Sequence, residues 1–345
     1  MANPLGMIST EELGIVQNVF PTAVDVFMNR EKPIANVVGL GMGIKWTKGM
    51  ATGIPALLVL VTQKLEKKQL YDTDIISPEF KGVETDVLQI GIPYAGCDQL
   101  DAGTETLKGR VRPAKGGYSV GHYKITAGTI GTCVYDILPG GSVSPPLHGI
   151  GIPSKYYILS NNHVLANCNN AQIGDPILQP GPYDGGTLTD KIASLSRFVP
   201  ITFEPPTPRA QHNNLVDAAV AEGEFADLDR ELYWNGSIRG WKLKSKVSVG
   251  SAVKKVGRTS NLSSGKVTAI RATVDVSYGG GLVARFKDQF VTTNISEGGD
   301  SGSLVTTLDN IAVGLLFAGS TSATIVNPIE SVRSLLRVEV AEQIL

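Results

Sequence analysis

From about residue 120 onward the chain is a succession of short apolar runs broken by glycine and other turn-forming residues, and this punctuation limits what it can fold into. The runs at 129–135, 156–160, 216–222, 266–278, 282–293, 302–306 and 311–319 show little helical periodicity. Chains of that pattern close into an all-β barrel or sandwich. Glycine, at 39 of 345 residues, exceeds its usual share without a collagen period, as many tight turns require. A final helix is expected over about 328–343, with Asn327 as cap, Pro328 in the first turn, and Ile329, Val332, Leu336 and Val340 on one stripe.

The first 115 residues read differently. Ser9 and Glu12 have capping-box spacing ahead of Leu13, Val16 and Phe20, which predicts a helix that Pro21 kinks or ends. Strand-like runs follow at 37–44, 56–62 and 83–92. An α+β accessory domain is therefore expected over 1–115, separated by the loop 112–117 from a unit over 116–345. That unit should hold one barrel at about 120–235 and a second at about 236–326. Gly39-Leu40-Gly41-Met42-Gly43 lacks the spacing and helix start of a dinucleotide fingerprint.

Charge and composition narrow the function. Lys plus Arg is 31 and Asp plus Glu is 32, a net charge of −1, so the field that would hold a phosphate backbone is missing and no nucleic-acid partner is expected. The longest apolar stretches fall well short of a bilayer span, and no membrane partner is expected. The first residues show neither the basic nor the apolar part of a secretory leader, which leads to the expectation of a cytoplasmic protein. Cys97, Cys133 and Cys168 have no C-x-x-C spacing, and His212 with Asp217 is a poor ligand set; neither a metal nor another cofactor is expected.

Three segments carry chemistry. An apolar run ends in Asn161-Asn162-His163, delivering a histidine at a strand end. Asp217 interrupts the apolar stretch 214–221, where an isolated carboxylate would be costly, so it needs a partner. Gly298-Gly299-Asp300-Ser301-Gly302 has the glycines for a turn that aims backbone N–H groups at one point while presenting a serine hydroxyl. His122, His148 and His212 lack an apolar run leading into them and read as loop or surface residues.

The order His163, Asp217, Ser301, with Gly299-Asp300-Ser301-Gly302 as its anchor, resembles the chymotrypsin-like (trypsin-like) serine peptidases over roughly 120–345. The resemblance implies a mainly β fold, a double β-barrel, to which the accessory domain and final helix are additions. It implies His163 as general base, Asp217 as its orienting carboxylate, Ser301 as nucleophile, and the N–H groups of Gly299 and Ser301 as oxyanion hole. The segments 36–41, 82–87 and 256–260 are similar to a non-secreted bacterial and plant subgroup that includes the narrow-leaf type. Secreted members pair a cysteine beside the histidine with one on an earlier strand. Here Cys168 and Cys133 are the corresponding residues, and both are read as reduced thiols. No Ile-Val-Gly-Gly terminus occurs near residue 120, so Asp300 needs a partner other than a freed N-terminus.

The resemblance also places Ile295, six before the nucleophile, at the base of the primary specificity pocket, with Phe317, Ala318 and Gly319 on the opposite wall. An apolar P1 residue is then expected; a one-residue shift would put Asn294 or Ser296 at the base instead. The expected function is a serine endopeptidase acting on a protein or peptide. The alternatives are a peptide-binding scaffold with little turnover and an esterase using the same triad. The front segment is expected to assist folding, cover the cleft or mediate homo-oligomer formation.

Overall fold

The computed structural model describes residues 8, 12–47, 50–96, 107–125, 127–137 and 155–340. Helix α1 (Gly14–Phe27) runs through Pro21 rather than ending there, and buries Val16, Ala23 and Phe27. Its cap position is Leu13, which makes no side-chain cap; the capping box expected from Ser9 starts outside the described residues. The front segment continues with β1 (Val37–Thr47), β2 (Met50–Val61), β3 (Glu79–Phe80), β4 (Val83–Gln89) and β5 (Ala114–Gly116).

The next strands are β6 (Ser119–His122), β7 (Gly128–Thr129), β8 (Thr132–Asp136) and β9 (Tyr156–Ser160), then a single turn of helix α2 (Asn162–Leu165). They are followed by β10 (Pro176–Leu178), β11 (Lys191–Phe198), β12 (Ala219–Gly223), β13 (Leu228–Leu232) and β14 (Gly240–Trp241). The last group is β15 (Ala252–Gly257), β16 (Asn261–Ser277), β17 (Val283–Thr293), β18 (Leu304–Thr307), β19 (Ile311–Gly319), β20 (Ala323–Pro328), α3 (Ile329–Leu336) and β21 (Val338–Glu339).

These strands make the expected mainly β, two-barrel architecture. In one barrel, β15, β18, β19, β20, β17 and β16 are bonded in that order, and β15 also pairs with β16, which closes the ring. In the other, the order is β21, β8, β9, β12, β11, β10, β6, β7, wrapped around Ile130, Cys133, Ile158, Ile177 and Leu195. Alternation divides the strand residues between two cores: in β9, Ile158 faces this one, while Tyr157 and Leu159 face the core that holds Trp241.

The front segment continues the second barrel's sheet. β1 pairs antiparallel with β16, placing Gly39 opposite Val274 and Leu40 opposite Thr273. β2 pairs antiparallel with β1, and β4 joins β2 in parallel. Val16 and Phe27 of α1 share one core with Leu40, Val59, Phe290 and Val313. The glycines of β1 explain the contact. A Cβ at Gly39 would stand 2.7 Å from the Thr273 carbonyl, one at Gly41 2.9 Å from Ala269 Cβ, and one at Gly43 3.0 Å from the Thr268 carbonyl. They let two strands approach closely, a packing role rather than a phosphate-binding one.

The final helix is shorter than expected. It stops at Leu336; Arg337 turns left-handed at φ 53°, and Val338–Glu339 instead pairs with β8 opposite Asp136 and Tyr135. The cause is the Arg333–Glu339 ion pair, both partners buried, with the Arg333 guanidinium 4.3 Å from the Trp241 ring centroid. Continued helix would carry Glu339 away from that cation, whereas the turn at Arg337 brings it back.

Gly39→Val should cost about 1–3 kcal/mol through overpacking against β16, read as a lower urea midpoint with unchanged m-value. An unchanged midpoint would contradict the close β1–β16 approach.

Candidate active site

The buried strand β9 ends at Ser160, and Asn161 leads into α2, whose turn carries His163. Asn161 Nδ2 donates to the Asp217 carbonyl at 2.7 Å, tying this turn to the loop ahead of β12. Asp217 therefore does not lie within the strand; β12 begins at Ala219. His163 Nδ1–H donates to Asp217 Oδ2 at 2.6 Å, and the His163 backbone N–H donates to Oδ1 at 3.1 Å. The carboxylate is fully buried, so its charge is stable only because donors replace water.

One of those donors comes from the other barrel. Tyr278, just beyond β16, donates its hydroxyl to Asp217 Oδ2 at 2.7 Å. Burial, and then the neighbouring Asp217 charge, push the Tyr278 hydroxyl well above its ordinary pKa, so it stays a donor. Asn327, expected as a helix cap, sits in β20 instead, where its Oδ1 accepts the Asp217 N–H at 3.0 Å and its Nδ2 donates to Gln289 at 2.7 Å. Both barrels thus fix one aspartate.

Ser301 lies on the turn between β17 and β18. Gly299 and Gly302 have φ of 96° and 95°, a conformation side-chain-bearing residues avoid. A Cβ on Gly299 would also meet Arg258 Nη1 at 2.6 Å, and one on Gly302 the Thr129 carbonyl at 2.3 Å. The turn is bonded to the first barrel: Thr129 N–H donates to the Ser301 carbonyl at 2.8 Å, and Thr129 Oγ1 to the Gly299 carbonyl at 2.9 Å. Among the described residues, the N–H groups of Gly299 and Ser301 donate to no backbone carbonyl, as an oxyanion hole requires. His163 Nε2, the atom that would accept the Ser301 proton, has no hydrogen-bond partner among the described residues.

Asp300 has the partner that the missing N-terminus left open. Its Oδ2 accepts from Lys255 Nζ at 2.7 Å and from the Glu297 N–H at 3.0 Å, while Oδ1 accepts from the N–H groups of Thr259 and Ser260 at 2.9 and 3.1 Å. Burial alone would raise this carboxyl, but the Lys255 charge and these hydrogen bonds outweigh it and hold the carboxyl below the ordinary carboxylate range. A Cβ at Gly257 would lie 2.4 Å from Asp300 Oδ1, so only glycine fits there. Next to the turn, Arg258 Nε reaches Asp184 of the first barrel at 2.7 Å.

Some of the remaining expectations need correction. Ile295 is not at a pocket base: it is buried in the core with Val253, Val267 and Val305, because Thr324 and Ser263 bond its backbone and turn it inward. Asn294 and Ser296, the alternatives, line a cavity of about 700 Å³ beside Ser301, with Glu297, Leu316 and Thr321. Ala318 and Gly319 form a wall of that cavity, whereas the Phe317 ring points into the core against Phe286, centroids 4.7 Å apart. His122 and His212 are buried rather than on the surface. His122 Nε2 lies 3.0 Å from Asp175 Oδ2, and His212 bonds the Thr207 carbonyl through Nε2 and the Arg285 N–H through Nδ1. His148 lies outside the described residues. Cys133 and Cys168 are free thiols, each pushed up to about 12 chiefly by burial, which makes them poor nucleophiles. No group of metal-ligating side chains occurs among the described residues, and no helix among them is long and apolar enough to cross a membrane.

Sequence reasoning missed Tyr278, Asn327 and Lys255. Lys255 left a signal: in β15 it alternates with Val253 and Gly257 on the inward face, where a lysine demands a buried counter-charge.

No family model matches the chain. Over 113 residues it is 36% identical to serine protease 2 of Streptomyces fradiae, covering 32% of this chain and 51% of that protein. The chain thus spans about half the length of that curated relative. Among solved structures, Thermobifida fusca protease A aligns over 65% of this chain and 96% of its own, at 17% identity and a TM-score of 0.43. Nocardiopsis protease (NAPase) aligns over 65% and 97%, at 18% identity and a TM-score of 0.44. Cellulomonas bogoriensis chymotrypsin aligns over 66% and 98%, at 17% identity and a TM-score of 0.42.

Lys255→Met should destabilise the fold by about 3–5 kcal/mol at neutral pH, since it strands the Asp300 charge; adding Asp300→Asn should restore most of that loss. Because the folded carboxyl is depressed, the stability it contributes is complete above its unfolded value near pH 4 and is lost as pH falls through the folded value. Urea titrations of the three proteins at neutral and acid pH check this, and a single variant as stable as wild type would contradict it.

Proposed function

We propose that the chain is a serine endopeptidase that hydrolyses peptide bonds through an acyl-enzyme on Ser301, with a protein or peptide as substrate and no cofactor. The observation that carries the reading is His163 held through Nδ1–H by the buried Asp217, which fixes the tautomer in which Nε2 is the basic nitrogen. In this mechanism Ser301 Oγ attacks the substrate carbonyl carbon as its proton passes to His163 Nε2. Asp217, supported by Tyr278, stabilises the imidazolium. The carbonyl oxygen, now negative, takes the N–H groups of Gly299 and Ser301. His163 then gives its proton to the leaving amine, and water repeats the sequence to release the acid. Asn294 and Ser296 favour an uncharged P1 residue, and Glu297, which lines the same cavity, disfavours an acidic one.

The segments 36–41, 82–87 and 256–260 support the non-secreted bacterial and plant subgroup, and with it a cytoplasmic location. Two of them lie in β1 and β4 of the extended sheet, and the third includes Ser260 and Thr259 against Asp300. One observation favours the second reading, a peptide-binding scaffold with little turnover: no hydrogen bond joins His163 Nε2 to Ser301 in this structure.

A fluorophosphonate probe separates the two. Labelling of the wild-type chain but not of Ser301→Ala is expected, with Asp217→Asn lowering kcat on the order of 10⁴-fold. A wild-type chain that takes no label would leave the scaffold reading in place.

A further inference from the structure

The segment that leads out of the front sheet does not cross open solvent. Ile90 N–H donates to the Val61 carbonyl at 2.8 Å, and a Cβ on Gly91 would stand 2.9 Å from Ser320, so the chain is pressed against the end of β19 as it leaves β4. It then enters the site. Tyr94 N–H donates to the Gly319 carbonyl at 3.0 Å, and Gly319 N–H donates back to the Tyr94 carbonyl at 3.1 Å, a reciprocal antiparallel pair. On its other side the segment meets the end of β16: Ser277 N–H donates to the Pro93 carbonyl at 3.0 Å, and Ala95 N–H to the Ser277 carbonyl at 2.9 Å. Ala95 is buried at 3% exposure.

Gly319 is the edge on which an extended peptide would add as a strand to reach Ser301. Gly96, two residues beyond the paired Tyr94, lines both the cavity that holds Ser301 and a second cavity of about 610 Å³ that holds His163. Tyr94 borders both cavities as well. A segment paired in this way takes the backbone positions of a substrate and brings Gly96 to the cavity that holds Ser301.

We propose that residues 93–96 are a tethered, substrate-like occupant of the cleft, so that the intact chain is self-inhibited by its own front segment. The proposal rests on the peptidase reading. Because the occupant is attached, its effective concentration is high, and an incoming peptide must first displace the Tyr94–Gly319 pair. The inhibition is therefore competitive, and weakening the pair lowers the concentration of substrate needed without touching the chemical step.

The test uses the intact full chain, its mass checked before and after assay. Tyr94→Pro removes the N–H that reaches Gly319, and the expected result is a fall in KM for a short uncharged peptide amide of about two- to tenfold, with kcat unchanged. Fluorophosphonate labelling of Ser301 is read in both proteins. Labelling in both with KM unchanged overturns the self-inhibition and leaves the peptidase reading standing; labelling in neither overturns the peptidase reading and the proposal with it. Amide exchange of the wild-type chain guards against a misfolded variant. The Tyr94 and Ala95 amides should be protected, and should lose that protection when a tripeptidyl phosphonate modifies Ser301. Protection that survives full modification overturns the proposal.

Discussion

Asp217 is a carboxylate cut off from water at the seam of two barrels, and the geometry of the site follows from keeping it charged there. A lone buried carboxylate is costly enough that it would take up a proton or drive local rearrangement. Three donors offset that cost, the ring and backbone N–H of His163 from the first barrel and the Tyr278 hydroxyl from the second, while Asn327 accepts the Asp217 backbone N–H and holds the residue in place. Each donor is useful only at one distance and angle. The barrels are therefore locked in relative position by the same bonds that orient the histidine.

A second buried charge shapes the other half of the site. Asp300 sits one residue before Ser301, and its carboxylate gathers donors from Lys255, Glu297, Thr259 and Ser260. Lys255 belongs to β15, a strand of the closed ring, so the turn that presents Ser301 is fastened to the rigid part of the barrel. No freed terminus is needed to form that pair; it is built into the folded chain. Thr129 adds a connection to the first barrel through the carbonyls of Gly299 and Ser301.

The legible part of this arrangement was local. Ser301, with glycines on both sides, needs a tight turn wherever the chain goes, and His163 after an apolar run needs a strand end. Asp217 announced that it lacked a partner. Tyr278 gave no such signal, because its role arises only when the β16–β17 hairpin swings back over the first barrel, and nothing near it in sequence encodes that crossing. Ile295 shows the converse failure: counting from Ser301 fixed its place along the chain, but the bonds to Thr324 and Ser263 decide which way it faces. The front segment was readable as a helix and strands. That β1 would join β16 lay in the spacing of Gly39, Gly41 and Gly43, whose meaning appears only once the opposing Thr273, Ala269 and Thr268 are in place.

Continuity between the front sheet and the second barrel gives the molecule its functional logic. The strands β1, β2 and β4 extend the barrel's sheet, and the chain leaving them is delivered to Gly319 at the mouth of the site. The central claim is that the seam turns Ser301 into a nucleophile, and rapid mixing of the full chain with excess p-nitrophenyl ester of a small apolar acid tests it most directly. An acyl-enzyme predicts a burst of about one nitrophenol per chain before slower steady release, absent in Ser301→Ala. Linear release from the first reading, at the same rate in wild type and Ser301→Ala, would contradict it.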